Sequence, residues 1–368
     1  MKKILRDNKG SISALVVISV LLYSIVLTTA FMQASSKRKM QMESQILAKE
    51  AYEKQLDNLD EIRDEINGGS SSILNKIQIG DSVNYTYDSA SSYLLSSTYS
   101  GDSSNQTIAQ TTELTWKVLN VDKENNTVDI ISTNPTSSTV SFYNELGYNN
   151  GPYLMNEICK AQYSNKTLGV EARSINLLDM EKHLTLSGIT ARNAFQYDSS
   201  TAKYGTTKTY TSNTRYPSLY ANQKGAGPNV TAANASTISQ PDITKGNDPY
   251  EESKSIATTE PTTDSTSVTV NPLTVTQTYY YIPINDTNYG TASSILANST
   301  RFWVAARYVF TYGGYADFRL RCAYTYMTGE YNLATATRDN GFHLRPVVSL
   351  PSSLLTGEQT NGGWDLSK

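Results

Sequence analysis

The run Leu114-Thr115-Trp116-Lys117-Val118-Leu119-Asn120-Val121, then Lys123-Glu124-Asn125-Asn126, then Thr127-Val128-Asp129-Ile130-Ile131, is the clearest β-hairpin in the chain. Two runs rich in β-branched and aromatic residues flank a polar cluster that can reverse the backbone. Shorter signals surround it. Ile77-Gln78-Ile79-Gly80-Asp81 reads as a strand entering a turn, and Tyr85-Thr86-Tyr87 as an alternating strand. Ser89 to Thr112 is Ser/Thr-rich and reads as a loop or weak hairpin. Gly151 to Ser164, with Leu154, Ile158 and Cys159, reads as a helix, and so does Ser174 to Leu184.

From Gln223 to Asn271 the apolar content collapses. Such a segment cannot offset its ordering entropy by burial, so residues 223–275 are expected to be a low-complexity Ser/Thr/Pro-rich insertion. Structure is expected to resume at Gln277-Thr278-Tyr279-Tyr280-Tyr281-Ile282-Pro283, with strands over Phe302–Phe310, Phe318–Tyr326 and Phe342–Leu350. The fold class is therefore α+β, a mixed, mainly antiparallel β domain with a few helices. It is expected over 73–222 and 276–350, with 351–368 as a C-terminal tail.

Only 18% of the 368 residues are charged, and the net charge is −3. Phosphate binding needs clustered Lys and Arg, so nucleic acid is excluded as a partner. Two Cys exclude a disulfide-dense scaffold and a Cys-only zinc site. His183 and His343 have no ligand-spaced neighbours, and no nucleophile elbow, phosphate loop or dinucleotide fingerprint appears. No catalytic residue, cofactor or metal ligand is assigned. Twenty-six Tyr against seven Phe point to aromatic rings kept in contact with water.

The N-terminus carries the strongest single signal. Lys2, Lys3, Arg6 and Lys9 precede a run from Ile12 to Met32 without a charged residue. As a helix that run spans about 30 Å, the thickness of a bilayer core. Tyr52, Leu56, Leu59, Ile62 and Ile66 then form one stripe at helical spacing before Gly68-Gly69 ends the pattern. The expected layout is a basic cytoplasmic leader over 1–10, a transmembrane helix over 11–32 and an amphipathic stalk over 33–67.

A basic leader ending in Gly10 before a long apolar run resembles the type IV prepilins and pilin-like proteins. The resemblance implies cleavage after Gly10, leaving Ser11 as the new N-terminus. It departs at Leu15, where pilins usually carry a Glu that pairs with a neighbouring subunit's terminal amine. A plain signal-anchor is the alternative.

Ile77–Asp81, Thr115–Leu119, Tyr148–Cys159 and Leu344-Arg345-Pro346-Val347-Val348-Ser349-Leu350 together resemble a family of uncharacterised Gram-positive surface proteins. Phe302-Trp303-Val304-Ala305-Ala306-Arg307, Phe318–Cys322 and Gly341–Val347 resemble the formylglycine-generating-enzyme branch of the C-type-lectin-like fold. Its catalytic members bind copper through paired cysteines, which this chain lacks close in sequence, so that resemblance implies the fold and no activity. It also implies a ligand-facing surface carrying Tyr308, Tyr312, Tyr315, Tyr324, Tyr326, Tyr331 and Asn332. The plainer reading of these residues is ordinary strand formers of high β-propensity.

Cys159 and Cys322 are either a disulfide closing a long loop in an oxidising compartment or two buried thiols. Eight N-x-S/T sequons, at Asn84, Asn105, Asn125, Asn165, Asn229, Asn234, Asn285 and Asn298, arise by chance in so Ser/Thr-rich a chain. The expected function is that of a membrane-anchored, pilin-like bacterial surface protein, single-pass, with a non-catalytic ligand-binding or adhesive domain outside. Its expected partners are membrane lipid along Ile12 to Met32 and a surface glycan or protein. The alternatives are a minor pilin assembling with pilin-like subunits and an exported enzyme of lectin-like fold.

Overall fold

The computed structural model describes residues 71–194, 204–210, 215–217, 253–257, 267–269, 273–277, 282–312, 315–324, 327–329 and 341–367. The chain divides into two units, Met1–Gly69 and Ser70–Lys368, and every described residue belongs to the second. The expected leader, membrane run and stalk lie outside the described residues. Among those residues no helix is long and apolar enough to cross a membrane.

The fold is α+β and mainly β. Its two principal sheets use β1 (Ser82–Val83), β2 (Trp116–Asp122), β3 (Thr127–Ser132), β4 (Thr139–Val140), β5 (Ala172–Ser174), β6 (Phe302–Tyr312), β7 (Tyr315–Ala323), β8 (Met327–Gly329), β9 (Phe342–His343), β10 (Pro346–Pro351), β11 (Leu355–Thr360) and β12 (Gly363–Leu366). The seven-stranded sheet runs β11-β12-β1-β2-β3-β10-β5, and the five-stranded sheet β8-β7-β6-β9-β4. Pairing is antiparallel except for β1 with β12 and β6 with β9.

The hairpin that decided the fold class is present as β2 and β3. Asn126 closes its turn at φ +54, and Asn125 donates from its backbone and side-chain nitrogens to the Asp122 carboxylate at 2.9 and 2.8 Å. Asn tolerates this left-handed conformation better than most residues. Both faces of the hairpin are covered, so its apolar residues serve two cores. Val118, Val128 and Ile130 enter one core, and Leu119 and Ile131 the other, with a bulge between Val118 and Asn120. β6 divides in the same way, giving Trp303 and Ala305 to the first core and Phe302, Val304 and Ala306 to the second.

The expected strand Phe342–Leu350 is two strands. Phe342–His343 joins the five-stranded sheet, Pro346–Pro351 joins the seven-stranded one, and Leu344-Arg345 carries the chain across. Pro346 has no N–H, which suits the start of a strand.

α1 (Asn144–Tyr163) starts before the expected Gly151. Asn150-Gly151-Pro152 looks like a helix breaker in sequence, yet Gly151 is where the helix meets β7. A Cβ there would stand 2.7 Å from Leu320 Cδ1. The expected helix Ser174–Leu184 resolves into the end of β5, then α2 (Leu177–Glu181), followed by α3 (Leu186–Ala194). Ser89–Thr112 contains a two-stranded hairpin, Ser92–Leu95 with Gln106–Ala109.

Four further expectations are corrected. Ile77–Ile79 is not a strand; pairing begins at β1, after Gly80 at φ +97. Tyr85–Tyr87 is not a strand either, and its rings pack on Trp116 at 4.9 and 6.4 Å. The 351–368 segment is no tail, because β11 and β12 extend the large sheet and Trp364 is buried. The 223–275 insertion contains strands: Leu273–Gln277 lies between Ser253–Ala257 and Thr207–Tyr210 in a three-stranded sheet, and Ser267–Thr269 pairs with Arg215–Pro217. Thr and Ser can complete backbone ladders without a large apolar area. Among the tyrosines whose burial is described, Tyr85, Tyr148, Tyr163, Tyr289 and Tyr308 are buried, against the expectation of contact with water, and the others are half-buried. Tyr85 shows how a ring can be buried with its hydroxyl satisfied, donating to the Tyr163 carbonyl at 2.8 Å.

Candidate functional site

Tyr308 cannot belong to a ligand-facing surface. It is 2% exposed, and the Arg321 guanidinium lies 3.8 Å from its ring centre. β6 is covered on both faces at this point, so alternation turns no side chain to water. Tyr312 and Tyr315 are directly opposed where β6 and β7 meet. Tyr324, just after β7, is half-buried. Tyr326, Tyr331 and Asn332 lie outside the described residues, as do Gly10 and Ser11.

Tyr324 has neighbours that its place in the sequence does not reveal. Phe302 pairs with Ala323 on one side and with His343 on the other. Arg301, Tyr324 and Phe342 are thereby brought together at one end of the five-stranded sheet. Arg301 is exposed, and its guanidinium lies 5.1 Å from the Tyr324 ring centre and 5.9 Å from that of Phe342. Such cation–π spacings are attractive, and Arg and Tyr are enriched at binding hot spots.

The patch stands on a rigid base. Phe342 packs edge-on against Trp303 at 4.7 Å, and Trp303 is buried with its Nε1 donating to the Val140 carbonyl at 2.8 Å. Arg301 and Phe342 were missed because each joins the patch through pairing between distant strands. The visible signal was local: an Arg just before the Phe302 run and a Phe just before His343.

A second polar group sits on the large sheet. Asp129, 7% exposed, accepts from Ser349 Oγ at 2.6 Å, Lys182 Nζ at 3.0 Å and Asn120 Nδ2 at 3.3 Å. Burial alone would raise its pKa, but the Ser349 hydrogen bond and the Lys182 charge outweigh it and hold the carboxyl below its usual value. Beside it, Arg173 forks the buried Asp179 carboxylate at 2.5 and 2.7 Å, and Asp179 and Asn176 form a capping box for α2. Arg192 pairs with Glu181. These contacts use the carboxylates as acceptors that fasten α2 and α3 to the sheet, a structural role.

His183 and His343 are both half-buried and lie in different parts of the fold. Burial holds the His183 pKa below its usual value. Among the described residues no group of three or more His, Cys, Asp and Glu is placed to hold a metal ion.

Cys159 and Cys322 are both thiols in the same buried core, Cys159 on α1 and Cys322 on β7, so of the two readings the structure has the unbridged one. Burial raises the Cys159 thiol well above its ordinary pKa, which suits a packing group rather than a nucleophile. Several sequon asparagines are structural. Asn165 donates to the Thr86 carbonyl at 2.8 Å, Asn285 accepts from the Asn288 backbone at 3.0 Å, and Asn84 donates to the Asp365 carboxylate at 2.6 Å.

No family model matches the chain, and no curated protein or solved structure matches it.

Proposed function

We propose that the chain is a membrane-anchored, pilin-like bacterial surface protein whose α+β domain lies outside the cell and binds a surface glycan or protein. The observation that carries this reading is the uncharged run Ile12–Met32 between basic clusters, ahead of a separate unit that begins at Ser70. The ligand surface is the Arg301–Tyr324–Phe342 patch rather than the whole tyrosine set. It offers a cation and two rings on a rigid base, a combination that gives contact area at low entropic cost.

Fractionation of cells expressing the full chain tests the anchor. It is expected in the membrane fraction after alkaline washing, with the domain digested by protease added outside, and deletion of residues 12–32 is expected to release it. A wild-type chain that stays soluble would sink the anchor. Recovery in sheared filaments would instead favour the minor-pilin alternative. For the ligand surface, Tyr324→Ala and Arg301→Ala are expected to abolish capture on glycan and protein arrays without shifting the urea midpoint.

A further inference from the structure

We infer that the entry segment Gly80–Tyr85 is a mechanical clamp that carries load from the anchor into the domain. The inference rests on the anchored reading, in which load arrives through the N-terminal side of the domain. β1 is not an edge strand. It lies between β12, which it pairs in parallel as Ser82 with Gly363 and Val83 with Trp364, and β2, which it pairs as Ser82 with Lys117 and Val83 with Trp116.

Backbone bonds continue on both sides. Gly80 N–H donates to the Val118 carbonyl at 2.9 Å and Val118 N–H to that of Asp81 at 2.8 Å, while Asn84 N–H donates to the Trp364 carbonyl at 2.9 Å. Side chains reinforce the same seam. Trp364 Nε1 donates to the Asp81 carboxylate at 2.9 Å. The Asn84 amide lies within 3.2 Å of the Asp365 carboxylate, the Thr360 and Gly363 carbonyls and the Thr360 hydroxyl. Val83 and Tyr85 are each 4% exposed.

An edge strand can be peeled away one bond at a time. A strand bonded on both sides, with its side chains buried, must break both rows and lose its packing together. The wall opposite β2 is β12, the last strand among the described residues. The segment expected as a tail is thus the part that holds the loaded entry in place. Forced opening is governed by the unfolding rate, so resistance to force can be separated from equilibrium stability.

The test is single-molecule pulling of the full chain in detergent micelles, between the N-terminal end and a Thr311→Cys handle; the native thiols are buried. Asn84→Ala and Trp364→Phe are expected to lower the opening force. Leu320→Ala, in the core away from the seam, is expected to lower the urea midpoint at least as far while leaving that force unchanged. Ile158→Val replaces it if that variant does not fold. Unchanged force in the seam variants, or an equal drop in the core variant, would overturn the clamp. Because the measurement needs no membrane insertion, its outcome is independent of whether the anchor reading survives fractionation.

Discussion

Arg345 donates from its guanidinium to the main-chain carbonyl of Leu296 at 2.8 Å. It also reaches the carbonyls of Ser132 at 3.1 Å, Thr133 at 3.2 Å and Ile295, and its charge lies 5.1 Å from the Phe302 ring centre. The side chain is fully buried where the chain crosses between the sheets, and burial pulls its pKa down to about 9, so it stays charged at neutral pH. Each buried acceptor left without a donor costs about 1–3 kcal/mol, so Arg345→Leu is expected to destabilise by more than about 3 kcal/mol. Arg345→Lys, with a single donor head, should fall between that variant and wild type. Urea unfolding of the three proteins checks the order, and a neutral Arg345→Leu would refute a stabilising role for these hydrogen bonds.

Asp129 gives a pH dependence with a defined sign. Its folded pKa is depressed below the unfolded value of about 3.9, so its contribution is complete above that value and is lost as pH falls through the folded one. His183 is also depressed below its unfolded value of about 6.5, so it adds stability above that value that declines below it. The urea midpoint of wild type is expected to decline in two stages on acidification. Asp129→Asn should shrink the lower stage, which the depressed carboxyls of Asp88, Asp122 and Asp365 share, and His183→Gln should remove the upper; a midpoint flat from pH 7 to 3 contradicts both.

Gly188 on α3 has no room for a side chain. A Cβ there would stand 2.2 Å from the carbonyl oxygen of Asn288, whose backbone is fixed by the Thr185 N–H at 2.9 Å. Overpacking of a core costs about 1–3 kcal/mol, and Gly188→Ala is expected at the upper end because backbone must move. Ser187→Ala, at an exposed neighbour, is the control and should be near neutral in the same thermal melt.

The two thiols should resist modification in the folded protein. Alkylation of native protein is expected to leave Cys159 and Cys322 unlabelled, and denaturation without reductant to expose both. Mass spectrometry reads the result directly. An unlabelled pair after denaturation would mean that a bridge forms in the cell.

The α+β class and the β2–β3 hairpin were legible because strand propensity and turn chemistry act over a few residues. Asp129 was legible only in retrospect, as a lone charge inside the run Val128–Ile131 that is buried on both faces. Its partners Ser349 and Lys182 come from β10 and from the residue after α2, and nothing local ties them to it. The sequence pattern starts α1 at Gly151 rather than Asn144, whereas contact with Leu320 makes Gly151 a packing position inside the helix. Tyr308 failed as a surface residue because alternation predicts exposure only where one face of a sheet is open.

What the sequence by itself determined is local: the charge-free Ile12–Met32 run, the hairpin, and the mostly polar character of 223–275. What only the tertiary structure decided is non-local. It placed Phe342 and Pro346 in different sheets, set β12 beside β1, and gathered Arg301, Tyr324 and Phe342 into one patch. Periodicity and propensity report on neighbours within a turn or a strand. Strand order, two-sided burial and the company of a buried charge depend on pairings between residues up to about 280 positions apart, such as Val83 with Trp364, where local pattern is silent.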